Sequence, residues 1–170
     1  RERDFDDFER EPLLPNKQSH QGPGLAWGDV DGDGDDDVFL GGARGQSGSL
    51  AINAGAGQFA LREVSAFAAH AASEDMGAVW IDVEGDGDLD LYVVSGGSET
   101  AQDDASLQDR IYLNDGRGGL TAAPTGTLPV ETVSGSAVAA ADIDLDGDVD
   151  LFVGGRAVPG QYRGPAQAFC

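Results

Sequence analysis

Sixteen of the 31 acidic residues fall in three stretches of nine, beginning at Asp29, Asp82 and Asp142. Within each stretch a carboxylate recurs at every second position. The first has Asp29, Asp31, Asp33, Asp35 and Asp37. The second has Asp82, Glu84, Asp86, Asp88 and Asp90, and the third Asp142, Asp144, Asp146, Asp148 and Asp150. Position six is glycine every time, as Gly34, Gly87 and Gly147. Side-chain oxygens at positions one, three and five, then a glycine that permits a sharp turn, are how a short loop wraps a hard divalent cation. Position seven usually offers its backbone carbonyl, which leaves the side chains of Asp35, Asp88 and Asp148 for water.

The electrostatics ask for such an ion. Two like charges about 4 Å apart repel by roughly 4 kcal/mol at an effective dielectric near 20. A few such pairs rival the ~5–15 kcal/mol that stabilises a whole domain. An all-oxygen set without neighbouring His or Cys suits Ca²⁺ better than zinc or copper. Mg²⁺ keeps its waters and seldom takes an all-protein cage. Three Ca²⁺ would bring the formal charge from -21 to -15. An EF-hand is excluded, because position twelve is Leu40, Val93 or Val153 where a bidentate Glu is required, and the flanks read as strands. A solvated acidic turn would explain one such loop, but not three in register.

Short apolar runs must position these loops. "GLAWGD", "GAVWID" and "AVAAAD" precede them; "DVFLGG", "LDLYVVSGG" and "VDLFVGG" follow. Bounded by Gly and Asp and rich in Val, Phe, Tyr and Leu, they read as strands buried on both faces. "GSLAIN" and "DRIYLN" supply a third strand, each ending in an Asn-x-Gly turn, "NAGAGQF" or "NDGRGGL". "QFALREV" and "GLTAA" supply a fourth. The loops recur at offsets of 53 and 60 residues, and each Asn precedes the next loop by 29 or 28. A repeat of this length, with four short antiparallel strands, is a β-propeller blade. The expected architecture is all-β, with four-stranded antiparallel blades: an N-terminal arm or extra strand over 1–21, then repeats near 22–74, 75–134 and 135–170. The last is incomplete, with two strands. Ring closure needs about 4–8 blades, so the three begun here imply a partial propeller, completed by missing blades of a larger protein or by a homo-oligomer. The polar segment 95–110 reads as an enlarged surface loop.

A chain of 170 residues with 31 acidic against 10 basic side chains disfavours nucleic acid and anionic membranes as partners. No apolar run approaches the ~20 residues of a membrane helix. The chain opens at Arg1 without a methionine, so the lack of a leader carries no weight, and the single Cys170 cannot form an internal disulfide. Trp27 and Trp80 are expected in the core between blades. Isolated His20 and His70 offer no catalytic pairing. Glu74 and Asp75 read as a solvated loop or a salt bridge, and Arg44 and Arg156 as surface partners of the acidic loops.

Together the loops and Asn-x-Gly turns resemble the FG-GAP/VCBS repeat, the blade of integrin-type propellers. That resemblance covers roughly residues 22–160. It implies Ca²⁺ held by positions one, three, five, seven and nine of each loop, all filled here. The chain is similar in detail to bacterial VCBS-repeat proteins related to the acidic secreted cartilage protein (ASPIC/UnbV) family. Glu84 departs from the usual Asp at position three, and Asp36 from an apolar residue at position eight. The resemblance implies a non-enzymatic, secreted or cell-surface (extracellular or periplasmic) module. It would bind about three structural Ca²⁺ and take a protein or glycan ligand for interaction or adhesion, without inserting in membranes. The alternative is the non-catalytic binding or scaffold part of a larger secreted enzyme acting on polysaccharide.

Overall fold

A computed structural model describes residues 5–161 and 168–169. Cys170 and residues 1–4 lie outside them. The first blade is the antiparallel sheet β1 (Leu25–Gly28), β2 (Asp37–Leu40), β3 (Ser49–Asn53) and β4 (Phe59–Arg62), in that spatial order. The second repeats it with β5 (Glu74–Ile81), β6 (Asp90–Gly96), β7 (Arg110–Leu113) and β8 (Thr121–Ala122). The third has β9 (Ser134–Ala141) and β10 (Asp150–Ala157). A third strand, which the sequence pattern did not lead one to expect, begins there as β11 (Ala168–Phe169), paired to Val153 and Gly154. The chain is thus all-β, a partial propeller of antiparallel blades. Among the described residues no helix is long and apolar enough to cross a membrane.

Strand alternation sends successive side chains to opposite faces of a blade, and the middle blade uses both. Trp80, Leu91, Val93 and Tyr112 join Ala26, Val30, Phe39 and Leu50 of the first blade in one core. Ile81, Tyr92, Val94 and Ile111 join Val153, with Val138, Ala140 and Leu151 alongside, in a second core against the third blade. Consequently β6 is buried at every position, whereas β1 alternates exposed and buried. Burial on both faces therefore holds for the middle blade alone. The core placement of Trp80 is met, but Trp27, its repeat equivalent, is 56% exposed and meets Phe59 edge-on. The difference is neighbourhood: Trp80 has a blade in front of it and Trp27 has none.

Backbone contacts stitch the blades where the inner strands crowd together. Gly24 N–H donates to Asp75 O at 2.7 Å, and Asp75 N–H to Gly42 O at 3.0 Å. A Cβ at Gly41 would come within 2.6 Å of the Asp75 Cβ, which explains why a small residue follows the second strand here. The second and third blades meet through a parallel bridge between Gly96 and Gly135.

Residues 5–21 form no strand. They carry a helical turn, α1 (Asp7–Arg10), anchored by a buried Asp7. Its carboxylate accepts the N–H groups of Gln18 and Ser19 and the Ser19 hydroxyl, and Arg10 Nη1 donates to Ser98 O at 2.7 Å. Burial pushes the Asp7 carboxyl up. The bonds from Ser19, Gln18 and Ser98 outweigh this and hold it below the ordinary carboxylate range. The enlarged segment 95–110 is correspondingly not all surface: Ser95, Ser98, Thr100 and Leu107 are buried, with Arg10 of the N-terminal segment donating to Ser98 O and Arg110 of β7 to the Ser95 hydroxyl.

Candidate metal centre

Each acidic loop joins the first two strands of a blade, and its own carboxylates shape it. Asp29 accepts N–H groups from Gly32 (2.8 Å), Asp33 (3.1 Å) and Gly34 (2.9 Å), and Asp33 accepts from Asp35 (2.9 Å). Asp82 does the same for Gly85, Asp86 and Gly87, and Asp86 for Asp88. In the third loop Asp142 accepts from Gly147 at 3.1 Å and Asp146 from Asp148 at 2.9 Å. Gly34, Gly87 and Gly147 all have φ between +94° and +101°, the left-handed region that an L side chain resists.

Position nine does a second job. Asp37 is fully buried; its Oδ2 accepts Val30 N–H (3.0 Å) and its Oδ1 accepts Asn53 N–H (2.7 Å). Asp90 repeats both bonds with Val83 (2.9 Å) and Asn114 (2.8 Å). The residue thereby fastens the loop to the end of the blade's third strand. Position seven leans on the Asn-x-Gly turn. The Asp35 and Asp88 carboxylates lie 3.5 Å and 2.5 Å from where a Cβ would stand on Gly55 and Gly116. The loop and the turn that keep register in the sequence are therefore in contact.

Two of the three loops gather carboxylates about a point. Oxygens of Asp29, Asp31 and Asp37 all lie within 4.8 Å of one another, and so do those of Asp142, Asp144 and Asp146. Ca²⁺–oxygen distances of ~2.3–2.6 Å place opposite ligands up to ~5 Å apart, so the spacing fits the ion. In both groups one carboxylate oxygen, Asp31 Oδ1 or Asp142 Oδ1, is buried with no hydrogen-bond partner among the described residues. A buried unpaired oxygen costs free energy unless something positive meets it. The Asp31 carboxyl is pushed up first by burial and then by the charges of Asp37 and Asp33; Arg62, 3.4 Å from its Oδ2, offsets part of this. The second loop is looser. Among the described residues it draws no three carboxylates so close. Its Glu84 is exposed and carries one more methylene than Asp. Desolvation, then Asp86, Asp90 and Asp82, push the Glu84 carboxyl up. Asp33, Asp35, Asp88, Asp148 and Asp150 lie in their loops outside the two gathered groups.

Two features of the site were not legible in the motif. Asn114 Nδ2 donates to Leu89 O in its own blade (3.0 Å) and to Val30 O in the first blade's loop (2.8 Å). Arg62, on β4, spans from Asp31 to Arg117 O in the second blade's turn. Both asparagines stood out in the sequence, but contacts made across a blade junction leave no local pattern.

Away from the loops, Asp75 and Arg110 form a buried ion pair at 2.6 Å, so the salt bridge, not the solvated loop, describes Asp75. His70 Nδ1 lies 3.0 Å from the Tyr112 hydroxyl, and burial followed by the Arg110 charge lowers its basicity. A cavity of about 270 Å³ opens beside His70, Asp109 and Arg110. Arg44 follows β2 and Arg156 lies near the end of β10, at the end opposite the acidic loops. They donate to Glu99 O and Gln18 Oε1, which replaces the expected pairing with those loops.

No curated protein matches the chain in sequence. The profile of the FG-GAP-like repeat matches residues 29–93 and again 94–153, well over half of the chain. The two matches take in all three acidic loops, both Asn-x-Gly turns and the strands between them. With the blade architecture and the loop geometry in agreement with that match, the chain belongs to the FG-GAP-like repeat family.

Proposed function

We propose that this chain is a calcium-stabilised, non-enzymatic propeller module that serves interaction or adhesion outside the cell. The observation that carries the reading is the pair of gathered triads, each with a buried oxygen that has no hydrogen-bond partner among the described residues. Asp29, Asp31 and Asp37 would hold one ion, with Asp33 and the position-seven backbone close at hand. Asp142, Asp144 and Asp146 would hold another, with Asp148 and Asp150 alongside. Asp82, Glu84, Asp86, Asp88 and Asp90 supply the same donor types to a weaker third site. The bound ions supply positive charge, which turns the mutual repulsion of each loop into attraction. In the first loop position nine carries the effect into the fold, since the Asp37 carboxylate that faces the cluster also holds the third strand. Membership of the FG-GAP-like repeat family, whose repeats are typical of extracellular proteins, supports a secreted or surface location, and a protein or glycan is the class of ligand proposed.

Calorimetric titration of Ca²⁺ into chelator-treated protein tests this reading. It should give heat with two tighter sites and one weaker, and Asp31→Asn should remove a tighter one. Absence of heat at millimolar Ca²⁺ would sink the proposal.

A further inference from the structure

The first acidic loop has a cation of its own. Arg62, the last residue of β4, sets Nη2 3.4 Å from Asp31 Oδ2 and donates from Nη1 to Arg117 O at 2.6 Å. Asp31 belongs to the first loop, and Arg117 to the Asn-x-Gly turn of the second blade. That turn has room for the guanidinium. Gly118 has φ +72°, and a Cβ added there would collide with Arg62 Nη1. The same turn sends Asn114 Nδ2 to Val30 O, one residue before Asp31. Arg62 therefore stands where the gathered carboxylates of one blade meet the backbone of the next.

The second blade has no such cation. Arg62 pairs with Leu50, three residues before Asn53. Three residues before Asn114 is Ile111, whose carbonyl accepts Ala123 N–H. An alanine thus fills the arginine's place. Among the described residues no ion pair reaches the second or the third loop. The chain holds 10 basic residues against 31 acidic, so one placed at a gathered triad sets that site apart.

The contact divides the Asp31 carboxylate. Oδ2 is turned to Arg62, and Oδ1 is buried with no hydrogen-bond partner among the described residues. A guanidinium at Oδ2 leaves Oδ1 to an ion. Groups that hold the far side of a ligand tune the metal it binds. Here the group is itself a cation, charged at every working pH. It offsets the repulsion within the loop when no ion is bound, and it repels an ion that arrives.

We propose that Arg62 is a built-in counter-ion of the first loop, which holds that loop to the second blade without metal and lowers its affinity for Ca²⁺. The inference rests on the calcium reading and adds what sets the strength of one site. Linkage makes the effect mutual: bound Ca²⁺ weakens the hold of Arg62 on Asp31 by the factor by which Arg62 lowers the affinity.

Calorimetric titration of Ca²⁺ into chelator-treated wild type, Arg62→Gln and Arg62→Lys, with urea unfolding in chelator beside it, tests the assignment. The site concerned is the one that Asp31→Asn removes. Arg62→Gln should bind Ca²⁺ there about three- to tenfold more tightly, and should unfold at lower urea in chelator. Arg62→Lys keeps the charge without the fork. It should hold the wild-type affinity within about twofold and still unfold earlier in chelator. Arg44→Gln removes the same charge at the far end of the strands and should leave that affinity where it is. An affinity unchanged or weakened by Arg62→Gln would overturn the proposal. So would an unchanged urea midpoint in chelator, or equal tightening by Arg44→Gln. Heat absent from every protein would contradict the calcium reading itself, and this inference with it; heat in all of them with equal affinities contradicts this inference alone.

Discussion

Asp86 and Asp90 lie four residues apart in one loop and have separable duties. Asp90 is buried and accepts Val83 and Asn114 N–H groups, whereas Asp86 is exposed and accepts from Asp88 within the loop. Removing Asp90 strands two backbone donors, each costing about 1–3 kcal/mol. Asp90→Ala should therefore lose roughly 2–5 kcal/mol in urea unfolding even in chelator. Asp86→Ala should leave stability in chelator unchanged or slightly higher, since it relieves repulsion, and lose the gain on adding Ca²⁺. The alternation of carboxylates made all five positions look alike in the sequence. What separates position nine is a partner 24 residues on, reached through β6–β7 pairing. Asp7 was likewise invisible as an anchor, because Ser98, among its partners, is 91 residues away. Its folded carboxyl is held below the ordinary value near ~4. Its contribution is then complete above that range and fades as pH falls through the lower folded value. Proteolysis of residues 5–21 should accelerate on acidification through that window, and Asp7→Asn should be cut readily at neutral pH.

At the scale of elements, the strands and their order could be read from period, turn residues and repeat spacing, because those signals are local. The side of the strand that meets water could not. Trp27 and Trp80 occupy the same register in β1 and β5, yet one is exposed and the other buried, since burial belongs to the neighbouring blade. The helical turn α2 (Ser65–Ala69) escaped notice for a related reason: Phe67 alone marks its buried face, packing edge-on between Phe39 and Tyr112. The Asn-x-Gly turn offers a direct test of junction chemistry. Asn114→Ala abandons Val30 O and Leu89 O in two blades, while Asn53→Ala abandons Asp36 O at an exposed site. Unfolding should register about 2–4 kcal/mol for the first and no more than about 1 for the second. Equal losses would mean the side chain does not couple the blades.

For the molecule as a whole, a formal charge of -21 on 170 residues is a standing repulsion concentrated at one end of the strands. Three loops stand in register, and two of them are tied through position nine to the end of a third strand, so the cations proposed for them would act on the fold as a whole. Family and architecture were readable because three copies of one pattern reinforce each other. The ion pair of Asp75 with Arg110 and the reach of Arg62 across the junction emerged only when the blades were placed side by side. The account turns on the loops needing their ions. A site at a hundredfold its Kd adds ~2.7 kcal/mol, or roughly 5–10 °C for a chain of this size. The most direct measurement is thermal unfolding in chelator and then in rising Ca²⁺. The account predicts a midpoint that climbs with Ca²⁺ by that amount for each site filled and falls back when chelator is returned. A midpoint that stays where it was, with Ca²⁺ and without, would contradict it.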